Sequence, residues 1–262
     1  MSTLTLALRD SHTMLRRNLL HMRRYPSLTL MLVGIPVVLL LLFVYVFGGT
    51  LGAGLGPTGG RAEYANYVTP GILLITVASA AQGTAISVAM DMAEGILARF
   101  RTMAIFRPSV LTGHVVGSVL QTMLSLAAVT GAALLVGFRP TASAVEWLAT
   151  IGVLTMVTVA VTWLSVALGL VTRSVETASN LPMPLVLLPF LGSGFVPTDS
   201  MPTPVRLFAD YQPFTPVMET LRGLLLGGGI GANGLLAVGW CVVITVGCFC
   251  WAKALYNRPR TA

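Results

Sequence analysis

The sequence carries very little charge for its length. Acidic and basic residues make up 10% of its 262 residues, whereas soluble globular chains carry about 25%. Lysine occurs once, at Lys253, and the residue before it is alanine. A phosphate-binding GxxxxGK[ST] loop is therefore excluded, and with it ATP hydrolysis by that route.

Motifs for metal binding and catalysis are missing as well. The sequence contains no HExxH, and its three cysteines lie in one apolar run with no histidine at motif spacing. Cys241, Cys248 and Cys250 are expected to act as small apolar residues. We predict that this chain is not an enzyme, with no catalytic residue, no metal site and no cofactor of its own.

Ionisable side chains are absent from the centres of the apolar segments. Asp91, Glu94, Glu146, Arg173 and Glu176 fall at the segment ends or between segments. A charge at the centre of a membrane helix costs about 2.5–3.5 kcal/mol, so a proton-coupled carrier keeps one only where its mechanism requires it. The pattern argues against a proton pump or a proton-driven carrier.

What the sequence does have is long apolar runs. Hydrophobic residues make up 55% of the chain, which predicts an all-α integral membrane protein. One membrane domain is expected over residues 26–262. Its six transmembrane helices are predicted near residues 28–47, 70–90, 110–137, 145–172, 177–196 and 234–251.

Glycine and proline mark the expected limits of these spans. The glycine-rich stretch 48–60 is predicted to be a loop, because helices tolerate glycine poorly. Pro70 is expected in the first turn of the second span, where its missing N–H costs nothing. Pro36 is expected to kink the first span. Pro182, Pro184 and Pro189 in the fifth are expected to be either moving bends or static kinks.

The basic residues predict how the chain is oriented. With the N-terminus in the cytoplasm, 12 of the 16 Lys and Arg residues fall in inner segments and four in outer segments. Both termini are therefore predicted to be cytoplasmic. Residues 1–25, with leucines at near-helical spacing and five arginines, are predicted to be an amphipathic interfacial helix; a disordered basic tail is the alternative. Because the basic residues lie at helix ends, no nucleic-acid partner is expected.

Two segments outside the spans have helical patterns of their own. Residues 91–108 combine an apolar ridge with cationic edges, which suits either docking on a soluble partner or resting on the inner leaflet. Between the last two spans, a pattern of about 12 residues begins at Thr215 and is too short to cross a bilayer. It is predicted to be re-entrant or interfacial on the outer side; an ordinary outer loop is the alternative.

Few polar side chains lie within or near the spans. Gln82 and Gln121 are expected to form interhelical hydrogen bonds or to contact a substrate. His114 is expected to be a capping or interfacial residue. Ser79, Gly83 and Ser87 recur at four-residue spacing, a pattern that predicts close packing between helices.

Two stretches resemble the ABC-2 type permease family, in particular its daunorubicin-resistance, DrrB-like branch. The first, "DMAEGILARFRTMAIFRPSVLTGHVVGSVL", is similar to the family's coupling segment at Asp91, Gly95, Arg99, Phe100 and Arg101. The second, "FLGSGFVPTDSMPTPVRLFADYQPFTPVMETLRGLL", is similar to its outer segment at Gln212, Pro213, Leu221 and Arg222. The sequence departs from the family in having Met103-Ala104 where Met-Pro is common, and Gln212 where Asn is common.

The resemblance implies a permease subunit in a bacterial inner membrane. It implies pairing with a second permease subunit, as a homodimer, and docking of two copies of a separate ABC ATPase that supplies ATP and Mg. The substrates would be hydrophobic drugs or natural products; the alternatives are export of a lipid or glycan precursor, or a membrane assembly or sensor protein that transports nothing. The residues assigned are Asp91, Gly95, Ile96, Arg99, Phe100, Arg101 and Met103 for coupling to the ATPase, Gln82, Gln121, Asn180, Pro182 and Pro184 for a possible translocation path, and Pro213, Pro216 and Arg222 for the outer re-entrant segment.

Cysteine labelling tests the predicted topology. Thr58→Cys is expected to react with a membrane-impermeant maleimide added outside intact cells, because residue 58 follows the first span. Thr102→Cys is expected to react only after the membrane is opened. Labelling of Thr102→Cys from outside would contradict the six-span arrangement.

Overall fold

The computed structural model describes residues 26–56, 60–95, 107–172 and 174–257. The helix predicted over residues 1–25 and the coupling residues 96–106 lie outside these ranges. The described residues form helices and turns without a β-strand, which confirms the all-α fold class. Five of the helical stretches are long and apolar enough to cross a membrane: Leu30–Ala53, Arg61–Ala93, Leu111–Val136, Ala144–Val171 and Asn233–Tyr256.

We number the helices along the chain. Helix α1 (Pro26–Leu41) continues through a π-helical turn (Leu42–Phe47) into α2 (Gly48–Ala53). The further long helices are α3 (Arg61–Ala93), α4 (Arg107–Val136), α5 (Ala144–Val171) and, at the end of the described chain, α10 (Asn233–Asn257). Between α5 and α10 lie four shorter helices, α6 (Val175–Asn180), α7 (Met183–Leu187), α8 (Thr203–Tyr211) and α9 (Phe214–Leu226). Following the predicted orientation, we call the Arg61 end of α3 the outer end and the Ala93 end the inner end.

The first span extends beyond its predicted end. The expectation that the glycine-rich stretch unwinds at Gly48 is wrong for its first six residues, which form α2. Gly52 is buried, and a Cβ there would lie only 2.5 Å from the carbonyl oxygen of Gly60. The glycine therefore lets the end of the span pack against the chain entering α3, and this packing outweighs the weak helix propensity of glycine.

Helix α3 begins nine residues before the predicted second span. Pro70 was expected in its first turn, but it lies inside the helix and is buried. Tyr64, Val68 and Ile72 form one face of the helix at four-residue spacing, and each is at most 1% exposed. Burial of this face extends the helix past the proline, as packing does in membrane bundles.

The predicted fifth span is not a single helix. Residues 175–196, which we call the broken span, form α6, a turn at Leu181–Pro182, α7, and further turns that end near Val196. Prolines in and after the turn remove backbone donors and clash with the preceding turn, which breaks the helix. Here the sequence had predicted one continuous span.

The broken span nevertheless runs along most of α3. The carbonyl of Ser179 accepts a hydrogen bond from Gln82, and the carbonyl of Phe195 accepts one from Tyr64. Gln82 and Tyr64 are 18 residues apart on α3, or about 27 Å at a rise of about 1.5 Å per residue. That length approaches the roughly 30 Å of a hydrocarbon core. The prediction of six crossings stays a prediction, with the broken span as the sixth.

Helices α8 and α9 form a hairpin, residues 203–226, which we call the outer hairpin. Near its turn, Met218 packs on Gly194, which in turn touches the backbone of Gly71, seven residues along α3 from Tyr64. At its far end, the carbonyl of Leu225 accepts a hydrogen bond of 2.9 Å from the amide of Thr141, in the loop between α4 and α5. The turn of the hairpin therefore lies about 10 Å deeper along α3 than Tyr64. The re-entrant interpretation stays a prediction.

The contact between Gly71 and Gly194 leads to a test of packing. A Cβ at Gly71 would lie 2.8 Å from the Gly194 carbonyl oxygen, so Gly71→Ala must push the two backbones apart. We expect a loss of about 1–3 kcal/mol and a lower thermal midpoint of the detergent-solubilised protein. Gly83→Ala is the matched control on the same helix, because a Cβ there meets nothing within 4 Å. Equal midpoints for the two variants would contradict this packing.

Candidate functional site

The backbone of the broken span is held by side chains from its neighbours. Four of its carbonyl groups accept hydrogen bonds from side chains outside the segment: Gln82 to Ser179 (2.6 Å), Gln212 to Leu188 (3.0 Å), Arg222 to Ser193 (2.8 Å) and Tyr64 to Phe195 (3.2 Å). Non-helical backbone at membrane depth needs such partners, because lipid offers none. We call these side chains the four donors. Two come from α3 and two from the outer hairpin and its turn.

The outer hairpin packs closely on the second half of the broken span. A Cβ at Gly192 would overlap the side-chain amide of Gln212 and the hydroxyl of Thr215. A Cβ at Gly194 would lie 2.8 Å from the sulfur of Met218. Glycines at these two positions therefore allow the hairpin turn to approach the backbone. Pro213 precedes α9 and Pro216 is buried in its first turn, where prolines are tolerated.

Arg222 joins three parts of the outer half. Its guanidinium donates to the carbonyls of Ser193 (2.8 Å) and Tyr67 (3.3 Å) and forms an ion pair with Glu219 at 2.5 Å. The same group lies over the ring of Tyr67, 3.9 Å from its centroid. With 15% of the side chain exposed, the planar guanidinium connects α9, α3 and the broken span.

Helix α8 is exposed on most of its surface in the single chain. Val205, Leu207, Phe208 and Tyr211 are between 41% and 76% exposed. Arg206 lies among them and pairs with Asp199 at 2.6 Å and Asp210 at 3.6 Å. The helix thus carries aromatic and charged side chains together, the composition typical of a membrane interface.

Four of the five predicted path residues lie together beside the inner half of α3. Gln82 is bonded to Ser179, Asn180 and Pro184 are exposed, and Pro182 occupies the turn of the broken span. Gly83 and Ser87, on α3, are exposed as well. The small-residue row at positions 79, 83 and 87 therefore does not produce the expected close packing among the described residues. It forms part of an open, polar face.

Gln121 lies on the other side of α3. It shares a face of α4 with His114 and Ser118, being three residues from the latter. Ser118 contacts the hydroxyl of Thr84 at 2.5 Å, so this face of α4 points towards α3. Thr84 and Gln82 are about 200° apart around α3. The structure therefore separates Gln121 from the polar face that contains Gln82.

Two of the predicted coupling residues are described. Gly95 follows α3 with a φ of 69°, the left-handed conformation that ends many helices. Asp91, one turn earlier, contacts His114 of α4 with 2.9 Å between carboxylate oxygen and Nε2. Ile96, Arg99, Phe100, Arg101 and Met103 lie outside the described residues.

Sequence analysis missed Tyr64 and the partner of His114. Tyr64 was not singled out, although a tyrosine near the end of an apolar helix is a candidate donor. His114 was expected to cap a helix or lie at the interface, and the structure pairs it with Asp91 instead. Its position 23 residues after Asp91, on the opposite side of the predicted cytoplasmic helix, was the available signal.

The arrangement defines a class of protein: a helical, multi-pass membrane protein with a broken span and an outer hairpin packed against it. The sequence profile of the family described as ABC-2 type transporter matches residues 10–226. The chain belongs to this family, whose members are permease subunits of ABC transporters and not themselves enzymes.

Individual relatives are permeases named for drug resistance. The chain is 29% identical, over 217 residues, to the daunorubicin resistance ABC transporter permease protein DrrB1 of Streptomyces coeruleorubidus. This match covers 82% of the chain and 74% of the relative. It is 23% identical, over 191 residues, to the probable doxorubicin resistance ABC transporter permease protein DrrC of Mycobacterium tuberculosis, covering 72% of the chain and 69% of the relative.

Replacing Arg222 tests whether the donors stabilise the outer half. Arg222→Met keeps an unbranched apolar stem but leaves the carbonyls of Ser193 and Tyr67 without this donor. We expect a loss of about 2–3 kcal/mol, because a charged donor to a buried acceptor is removed. Arg206→Met is the matched control and should change stability by at most about 1 kcal/mol, since its ion pairs are exposed. Similar thermal midpoints for the two variants in detergent would contradict the role of Arg222.

Proposed function

We propose that this chain is the membrane-spanning subunit of an ATP-driven exporter of hydrophobic drugs or natural products in a bacterial inner membrane. The observation that carries the proposal is the family match over residues 10–226, together with relatives named for resistance to daunorubicin and doxorubicin. Two such permease subunits, as a homodimer, would work with two copies of a separate ABC ATPase. ATP and Mg would be bound by that partner.

The polar face beside the inner half of α3 supports a path for substrate. Gln82, Asn180 and the exposed Gly83 and Ser87 offer polar and small groups at a depth where lipid-facing surfaces are apolar. The turn at Pro182 interrupts the helix beside them. An amphiphilic planar drug would find both hydrogen-bonding groups and apolar neighbours at such a face. In the proposed mechanism, the face opens towards the cytoplasm and closes when the ATPases associate.

The family resemblance assigns contact with the ATPase to the segment after Gly95. Its apolar ridge would fill a groove on the ATPase, and Arg99 and Arg101 would fix its register. Phe100 is the expected anchor, because one large aromatic side chain often dominates a small interface. The rigid-body motion of the ATPases would then enter the permease through this segment.

Copurification and transport test the proposal together. The tagged chain, expressed in its own host, should copurify with an ATPase that carries Walker motifs. Inverted membrane vesicles should take up daunorubicin when ATP is added, and vanadate should stop the uptake. A chain that copurifies with no such ATPase would contradict the proposal. ATP-dependent transfer of a lipid precursor without drug uptake would show that the substrate is such a precursor and not a hydrophobic drug.

Phe100→Asp tests the assigned anchor. A carboxylate in an apolar groove lacks a partner, so the ATPase should bind about thirtyfold more weakly, the effect of losing a contact of about 2 kcal/mol. The membrane level of the permease should not change, since residue 100 lies outside the spans. Phe100→Leu is the control and should retain the ATPase. Equal copurification of wild type and Phe100→Asp, measured at matched expression, would show that the segment rests on the membrane instead.

A further inference from the structure

We propose that Asp91 and His114 are positioning residues that join α3 and α4 into one lever at the cytoplasmic segment. Movement of residues 96–106 would then displace both helices together instead of displacing one helix relative to the other. The inference rests on the proposed function, because it assumes an ATPase that acts on this segment. It assigns to Asp91 a role inside the permease, not at the ATPase surface.

The position of the pair is the first observation. Asp91 lies within the last turn of α3, and His114 lies two turns into α4. Their contact of 2.9 Å therefore joins the two helices that precede and follow the cytoplasmic segment. Both side chains are largely buried, with 4% of His114 and 14% of Asp91 exposed. A polar pair withdrawn from water in this way is held in one geometry, because neither group has solvent to replace its partner.

The surroundings of the pair explain why a polar contact is needed. The inner core between the helices consists of apolar side chains, among them Val88, Leu111 and Val115. Apolar contacts are non-directional and fix the register of two helices only through the fit of their side chains. A hydrogen bond with an ionisable partner is directional and short. The Asp91–His114 contact thus fixes the register of α3 against α4, and the Thr84–Ser118 contact repeats this further into the membrane.

The lever continues from α3 into the broken span. Gly169 of α5 packs directly on α3, where a Cβ would lie 2.7 Å from the carbonyl oxygen of Ala85. On the same stretch of α3, Gln82 donates to the carbonyl of Ser179 at 2.6 Å. A shift of the inner end of α3 therefore acts on α5 and on the start of the broken span. The Asp91–His114 pair lies where that shift would begin.

The test measures transmission separately from assembly. In a background with Cys241, Cys248 and Cys250 replaced by alanine, Tyr211→Cys places a label on the outer hairpin, at a residue 76% exposed. The permease is reconstituted with its ATPase in proteoliposomes, and maleimide labelling is followed with and without ATP and vanadate. His114→Leu removes the hydrogen bond and retains an apolar side chain. We expect the ATPase to remain bound, and the ATP-dependent change in labelling rate to fall about fivefold or more.

Three further variants exclude a purely structural role. His114→Gln can still donate to Asp91 and should restore most of the change. Asp91→Leu/His114→Leu removes the carboxylate together with the imidazole, so no acid is buried beside a leucine; it should insert normally and still transmit poorly. Thr76→Val removes a buried hydroxyl whose hydrogen bond stays within α3, to the carbonyl of Ile72, and should keep transmission closer to that of wild type than His114→Leu does.

The outcomes separate the inference from the proposed function. A normal ATP-dependent change in His114→Leu overturns the inference, and so does failure of both leucine variants to insert, which would make the pair a folding contact. Loss of the ATPase from an inserted His114→Leu also overturns it, because the pair would then serve docking. If the wild type shows no bound ATPase and no ATP-dependent change, the proposed function itself fails.

Discussion

The broken span can exist inside a membrane only if its backbone carbonyls find hydrogen-bond donors. Each buried polar group left without a partner costs several kcal/mol in an apolar environment. The four donors, Gln82, Tyr64, Gln212 and Arg222, meet this requirement for four carbonyls spread along the segment. This requirement explains why these polar side chains occur in an otherwise apolar bundle. These four polar side chains lie where the backbone of a neighbouring segment needs a donor.

The same constraint divides the molecule into helices that can move only as rigid bodies and a segment whose own backbone can change shape. Helix α3 satisfies its own backbone apart from Pro70, and most of its faces are buried. The broken span depends on side chains, whose bonds can exchange without unwinding a helix. Two of those side chains belong to the outer hairpin and its turn, so hairpin and broken span are joined. A transition of these elements relative to α3 would resemble the hinge motions that membrane transporters use.

The sequence predicts the long helices well and their irregularities poorly. Apolar runs locate α4 and α5 to within three residues, because a continuous membrane helix needs only length and hydropathy. The helical Gly48–Ala53 turn and the buried Pro70 were predicted wrongly, since tertiary packing overrides local propensity there. The break at residues 181–182 was signalled by prolines. Its stabilisation was not, because the donors are up to 131 residues away in the chain.

The candidate site was predictable in part. Gln82 was singled out as a polar side chain in an apolar span and Arg222 through the family resemblance, and both prove to bond the broken span. Gln121 was grouped with Gln82 on residue type alone; the helical faces that separate them require the packing of α3 against α4. Membership of the ABC-2 type transporter family places all these features in a permease subunit of an ABC transporter.

Hydrogen–deuterium exchange on the reconstituted permease–ATPase complex is the most direct test of the central claim, that the broken span is the moving element held by exchangeable side-chain bonds. Exchange would be followed in nanodiscs with and without ATP and vanadate. We predict that amides of residues 185–196 change their exchange rate on nucleotide binding, while those of residues 72–80 in α3 stay protected throughout. Nucleotide-dependent exchange in α3 with an unchanged broken span would contradict the account.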